Sequence, residues 1–164
     1  MASTIRGSDN FDSASKLTQG TAVASTSGTY IDFTGIPSTA KRITIMFSGV
    51  STNGSSLVQI QIGSGSIDTG STYYGCCHST QAGSLYSDNF TTGFRIEPSD
   101  TSVTAASVRH GSATLTNITG TTWCFNAALG HSNTPCSTYA GGSLPLGGTL
   151  SQLTITTTNG TDTF

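Results

Sequence analysis

Cys76, Cys77 and His78 stand in a row, and Cys124, His131 and Cys136 follow within a second short stretch, "CFNAALGHSNTPC". Sulfur and imidazole are ligands that zinc takes, so these residues have the greatest chemical reach in the chain. Their spacing argues against a metal centre, because zinc sites favour C-x2-4-C and adjacent cysteines cannot easily both face one ion. Four cysteines also allow three disulfide pairings. A chain made in the cytoplasm would keep its thiols reduced until release. Buried or half-buried thiols and a disulfide among Cys76, Cys77, Cys124 and Cys136 are both open readings.

Hydrolysis needs a carboxylate pair, or a nucleophile with a base. The chain holds one glutamate, Glu97, beside seven aspartates. Asp88 and Glu97 could face each other in a loop region, but nothing fixes the separation a glycosidase requires. Serine is so frequent that pairing one with His78, His110 or His131 is uninformative. "GSGSIDTG" at 63–70 lacks the strand-to-helix setting of a phosphate cradle and reads as a surface loop. The N-x-S/T sequons at Asn53, Asn89, Asn117 and Asn159 are what a Ser/Thr-rich chain produces by chance. No catalytic residue, metal ligand or cofactor is expected. Binding fits better: Tyr73, Tyr74, Tyr86 and Tyr139 lie in Gly- and Ser-rich segments. Aromatic faces beside small polar groups suit sugars, which present apolar ring faces and hydroxyl edges. The same tyrosines could equally pack a sandwich rim or a subunit interface.

The elements that must carry these side chains are strands. "TYIDFTGI" puts Ile31 and Phe33 on one face, as a half-buried strand requires. "AKRITIMFSGV" supplies Ile43, Ile45 and Phe47 on one face, and "LVQIQIGSG" sets Val58, Ile60 and Ile62 against Gln59 and Gln61. Asn53-Gly54 between these two runs predicts a hairpin. Alternation returns with Phe94 and Ile96, Ala113 and Leu115, Trp123 and Phe125, and Leu153 and Ile155. "SLPLGG" reads as a turn-rich connection, and Asn159-Gly160 as a turn into one more returning strand. No segment has a 3.6-residue period. Eight to ten short strands with turn signals between them predict an all-β fold, a single β-sandwich of jelly-roll or Greek-key type over 28–164. Residues 1–27 are polar and aperiodic and read as an extended N-terminal arm. Asp9, Asn10, Phe11 and Asp12 are its candidate attachment residues, with a disordered terminus as the alternative.

Only 9% of the 164 residues are charged and the net charge is −2, against about 25% charged in an average domain. Six scattered Lys and Arg form no basic stripe, so nucleic acid is not an expected partner. No apolar run approaches the roughly 20 residues of a membrane span, and "MASTIRGSDNFDSASK" has no apolar segment of a signal peptide. A soluble product made in the cytoplasm is expected. A surface this poor in charge favours self-association, which points to an oligomer.

"SGTYIDFTGIPSTAKRITIMFSGVSTNGSSLVQIQIGSG" closely resembles a segment that recurs in tailed-bacteriophage and prophage virion proteins, many of them labelled tail fibres. The likeness continues through "TTGFRI", "HGSATLTNITGTTW" and "GGTLSQLTITTTNGTDTF", and covers most of residues 27–164. "STIRGSDNFDSA" is similar to the start of short phage structural proteins. In relatives the run after "NGTDTF" continues into one more short strand. The resemblance implies a virion structural subunit assembled in the bacterial cytoplasm, most simply a short tail fibre or similar appendage. It implies attachment by the arm to other virion proteins, a homotrimer, and a sandwich facing outward toward a host-surface glycan. A capsid decoration or head-fibre protein is the alternative, and a lectin-like module a further one. The resemblance brings no catalytic residues, and the four cysteines are not part of its pattern.

Overall fold

β-Branched and aromatic residues alternating with polar ones favour extended chain, and strands dominate the described residues. The computed structural model describes residues 17–26, 28–99 and 103–164. The candidate attachment residues Asp9, Asn10, Phe11 and Asp12 lie outside the described residues. Among the described residues there is no helix, and the strands are β1 (Tyr30–Thr34), β2 (Arg42–Val50), β3 (Val58–Ser64), β4 (Ser66–Ile67), β5 (Tyr74–Gln81), β6 (Ser84–Phe90), β7 (Phe94–Arg95), β8 (Arg109–Thr119), β9 (Thr122–His131), β10 (Cys136–Pro145) and β11 (Gln152–Thr157). Every pairing is antiparallel.

Two sheets result. The smaller runs β1–β11–β3–β4, with β7 also paired to β3; the larger runs β2–β8–β9–β10–β5–β6. Ile31, Ile60, Ile62 and Ile155 of the first pack against Ile45, Phe47, Leu115 and Phe125 of the second. The all-β sandwich expected from the alternation is thus the observed fold. β8, β9 and β10 form a meander, and β5 lies beside β10 after a long connection, which is Greek-key connectivity.

Four aromatic rings fill the middle. Phe94 stacks on Phe125 with centroids 4.6 Å apart and meets Tyr73 and Phe90 edge-on at 4.8 and 6.0 Å. Phe90 fits because Gly75 and Gly142 lie beneath it as a cross-strand pair. A Cβ on either would come within 2.8 Å of the ring.

The hairpin expected around Asn53-Gly54 does not form. β2 pairs with β8 and β3 with β11, so the intervening residues cross from one sheet to the other. The C-terminal segment captures Asn53 instead. Its amide donates to the Thr163 carbonyl at 2.9 Å, and its Oδ1 accepts the Thr163 amide at 2.8 Å. Neither Asn53 nor Gly54 takes the positive φ of a tight hairpin. Glycine at 54 answers to space: a Cβ would lie 2.1 Å from the Asp162 carboxylate, which accepts the Ser56 amide at 3.0 Å. Asn159-Gly160 does turn the chain, with Gly160 at φ 66°. Phe164 then enters the core, its amide donating to the Gly28 carbonyl at 2.9 Å.

One further expectation needs correction. "SLPLGG" is not all connection, since β10 runs on to Pro145 opposite Thr122. Gln59 and Gln61, on the face of β3 opposite Val58, Ile60 and Ile62, are buried as well, as are Thr154 and Thr156 beside them. Gln61 Nε2 donates to the Thr92 carbonyl at 2.7 Å, and Gly93 is close enough to Gln59 that a Cβ would clash with its amide. The segment before β7 therefore folds over this face; Gln61 pairs with its backbone, while Gln59 Oε1 is buried without a hydrogen-bond partner.

Candidate functional site

In the cysteine set, neighbours point to opposite faces of the sheet. Cys76 is exposed and Cys77 buried, as successive residues of β5 must be. Cys124 shares the outer face with Cys76 but lies two strands away, on β9, with β10 between. Two strand spacings are about 10 Å, beyond the ~7 Å between Cα atoms that a disulfide tolerates. Cys136 shares the inner face with Cys77, which lies opposite Ala140, four residues further along β10. The offset is about 13 Å. All four are unbridged thiols, so the disulfide reading is corrected by strand register. Burial pushes the Cys77 thiol up to about 12, leaving it protonated and inert. Among the described residues no cluster of three His, Cys, Asp or Glu is placed to hold a metal ion.

The four tyrosines separate. Tyr73 is not a surface aromatic: it is fully buried. Its hydroxyl accepts the Ile62 amide at 3.0 Å and donates to the Asp68 carbonyl at 2.8 Å. Burial raises its pKa. Tyr86 is half-buried on the inward side of edge strand β6, opposite Ser79. Tyr74 and Tyr139 alone share the outer face of the six-stranded sheet, 66% and 47% exposed. Tyr139 stacks on His78 across the β10–β5 pair, with centroids 5.5 Å apart and planes at 23°. Thr80 and Ser137 join hydroxyls at 2.8 Å beside them. This uncharged aromatic and hydroxyl surface is the candidate binding site. An open depression of about 440 Å³ lies elsewhere, over residues 64–70, which are not the plain surface loop expected: Ser64 ends β3 and Ser66–Ile67 return as β4. Its Asp68 is occupied internally, accepting the Gly70 amide at 2.8 Å and the Thr72 hydroxyl at 3.3 Å.

The residue-level reading missed a buried ion cluster. Glu97 follows β7, and its carboxylate takes two hydrogen bonds from Arg109, Nη2 at 2.7 Å and Nε at 2.8 Å. His131 Nε2 lies 3.3 Å away, and the Val58 amide donates at 3.2 Å. The Glu97 and Arg109 side chains are each 1% exposed. Asp88, the imagined partner of Glu97, instead accepts the Ser99 amide at 2.6 Å and lies 3.6 Å from Arg95. The one signal available was a lone glutamate in a chain nearly free of charge. Val58 begins β3 while Arg109 and His131 belong to β8 and β9, so the cluster ties the two sheets together at one end. The Glu97, Arg109 and His131 side chains are each at most 1% exposed, so the cluster lies beneath the surface.

Burial alone would raise the Glu97 pKa; the His131 hydrogen bond, the Arg109 charge and hydrogen bonds, and the Val58 amide together outweigh it and hold the carboxyl below its ordinary 4.5. Such a group adds stability in full above its unfolded value and loses it as pH falls through the folded one. Urea midpoints measured downward from pH 7 should therefore drop more steeply below about 4.5 in the native chain than in Glu97→Gln, which lacks the titrating group.

No protein-family model matches the chain, and no curated protein and no solved structure matches it significantly.

Proposed function

We propose that this chain is a virion structural subunit of a tailed bacteriophage, built as a short tail fibre or similar appendage. The observation that carries the reading is the resemblance of most of residues 27–164 to a segment of tailed-phage virion proteins. The architecture supports it: a two-sheet sandwich whose ionisable cluster is sealed inside and whose broad outer face carries charge only at its rim, at Arg42. Residues 1–27 would attach the subunit to other virion proteins, with copies packed as a homotrimer. The sandwich would face the host, working by many weak contacts multiplied by copy number. The reading assigns no catalysis.

Antibody labelling of purified virions, viewed by electron microscopy, tests it. Label at the tail is the expected result. Label over the head would move the protein to capsid decoration or a head fibre, and no label on intact or opened particles would overturn both. A second reading, a lectin-like module, is favoured by the exposed Tyr139–His78 stack with Tyr74 on the same face. It would require the isolated protein to bind members of a host-glycan panel.

A further inference from the structure

The outer face of the six-stranded sheet has a relief that matches itself. Its side chains form rows across the strands. One row reads Met46, Ser112, Ala128, Tyr139, His78, Ser87 from β2 to β6. Small residues on β8 and β9 make a hollow, and the stacked Tyr139 and His78 on β10 and β5 make a ridge of equal width. The other rows vary the relief. Thr116 and Cys124 lie on the hollow side of the row that ends at Tyr74; the row that ends at Leu85 opens with Ser48 and carries His110 on β8 and Thr80 on β5; in the row between those of Tyr139 and Tyr74, Asn126 on β9 stands beside Gly141 on β10. Met46, Tyr74, Leu85 and Tyr139 are 82%, 66%, 69% and 47% exposed, so half of the eight large exposed apolar side chains described lie on this one face. Across its four rows, from Arg42 to Leu85, the sole Lys, Arg, Asp or Glu is Arg42, at the rim.

The geometry points to a second copy of this chain as the occupant of the face, packed sheet to sheet about a two-fold axis. With the axis in the interface, parallel to the strands and between β9 and β10, each column lies over its mirror column. Tyr139 then falls over the partner copy's Ala128, His78 over Ser112, Tyr74 over Thr116, Leu85 over Ser48 and Met46 over Ser87. Every large side chain meets a small one, and no like charges meet. Such a self-matching patch is what an isologous contact requires. Six strands about 4.8 Å apart and four rows about 6.8 Å apart span close to 800 Å², the area per partner of a standard stable interface. A charged ligand finds nothing complementary here, whereas an identical uncharged sheet does. This contact goes beyond the virion reading, since it is a property of the chain alone.

Sedimentation equilibrium of the full chain over the micromolar range tests it. The expected mass is an even number of chains: two, or six where two of the proposed homotrimers join through this face. Ala128→Arg puts an unpaired charge under the partner's Tyr139 and should weaken the contact on the order of 100-fold, halving the mass. Ser112→Arg, beneath His78, should do the same. Ala128 is exposed and Ser112 half-buried on the outer face of the single chain, and thermal melts of the variants report whether each still folds. One chain, an odd-numbered assembly, or a mass that neither folded variant changes would overturn the inference.

Discussion

Replacing Arg109 by alanine is expected to remove about 3–5 kcal/mol of folding stability, the cost of leaving a buried carboxylate without its counter-charge. Glu97 would keep only the Val58 amide and His131 as partners, in a site from which water is excluded. The size of the effect comes from desolvation, because a buried charge must be compensated where it sits. It does not measure what the pair adds relative to an apolar core. Glu97→Met combined with Arg109→Met should therefore recover most of the loss. What remains would reflect the Val58 amide and His131 Nε2, each left without its acceptor. Urea unfolding at pH 7 checks both variants, and an unchanged m-value would show that the folded and unfolded states keep their extent. A loss below about 1 kcal/mol in Arg109→Ala, the range of surface ion pairs, would show that the cluster does not hold the sheets together.

Phe94→Ala should be as damaging, at about 3–5 kcal/mol. Phe94 is fully buried and touches the rings of Tyr73, Phe90 and Phe125 at once. Its strand, β7, is two residues long and pairs with β3 over only Gln59 and Ile60. The ring, more than the ladder, holds that segment down. Losing it opens a cavity between the sheets and frees the chain that positions Glu97 three residues later. Phe94→Leu keeps most of the volume and should cost clearly less, separating cavity from topology. Thermal denaturation and near-ultraviolet circular dichroism of the two variants give the comparison.

The strands themselves were legible because their signal is local. Alternation with period two in "TYIDFTGI", "AKRITIMFSGV" and "TWCFNAALG" follows from the geometry of extended chain and needs no knowledge of partners. Low charge and closely spaced turn residues then restrict the stacked strands to a sandwich. Which strand pairs with which is a different matter. Asn53-Gly54 carries a hairpin signal, yet Thr163 and Asp162, more than a hundred residues away, take the backbone and the space that a hairpin would have used. Tyr73 and Tyr74 are neighbours of the same type, and only the packing of β5 against the four-ring core sends one inward and the other out. Cys76 and Cys77 part in the same way, and their distance from Cys124 and Cys136 follows from sheet order. Glu97, Arg109 and His131 are separated by 12 and 34 residues from the carboxylate outward. Nothing in their spacing joins them. They meet because two sheets close over one end of the sandwich, and a charge caught there must find its partners among whatever the fold brings near. Local alternation settles which residues extend and which side chains share a face; long-range closure settles what each face meets.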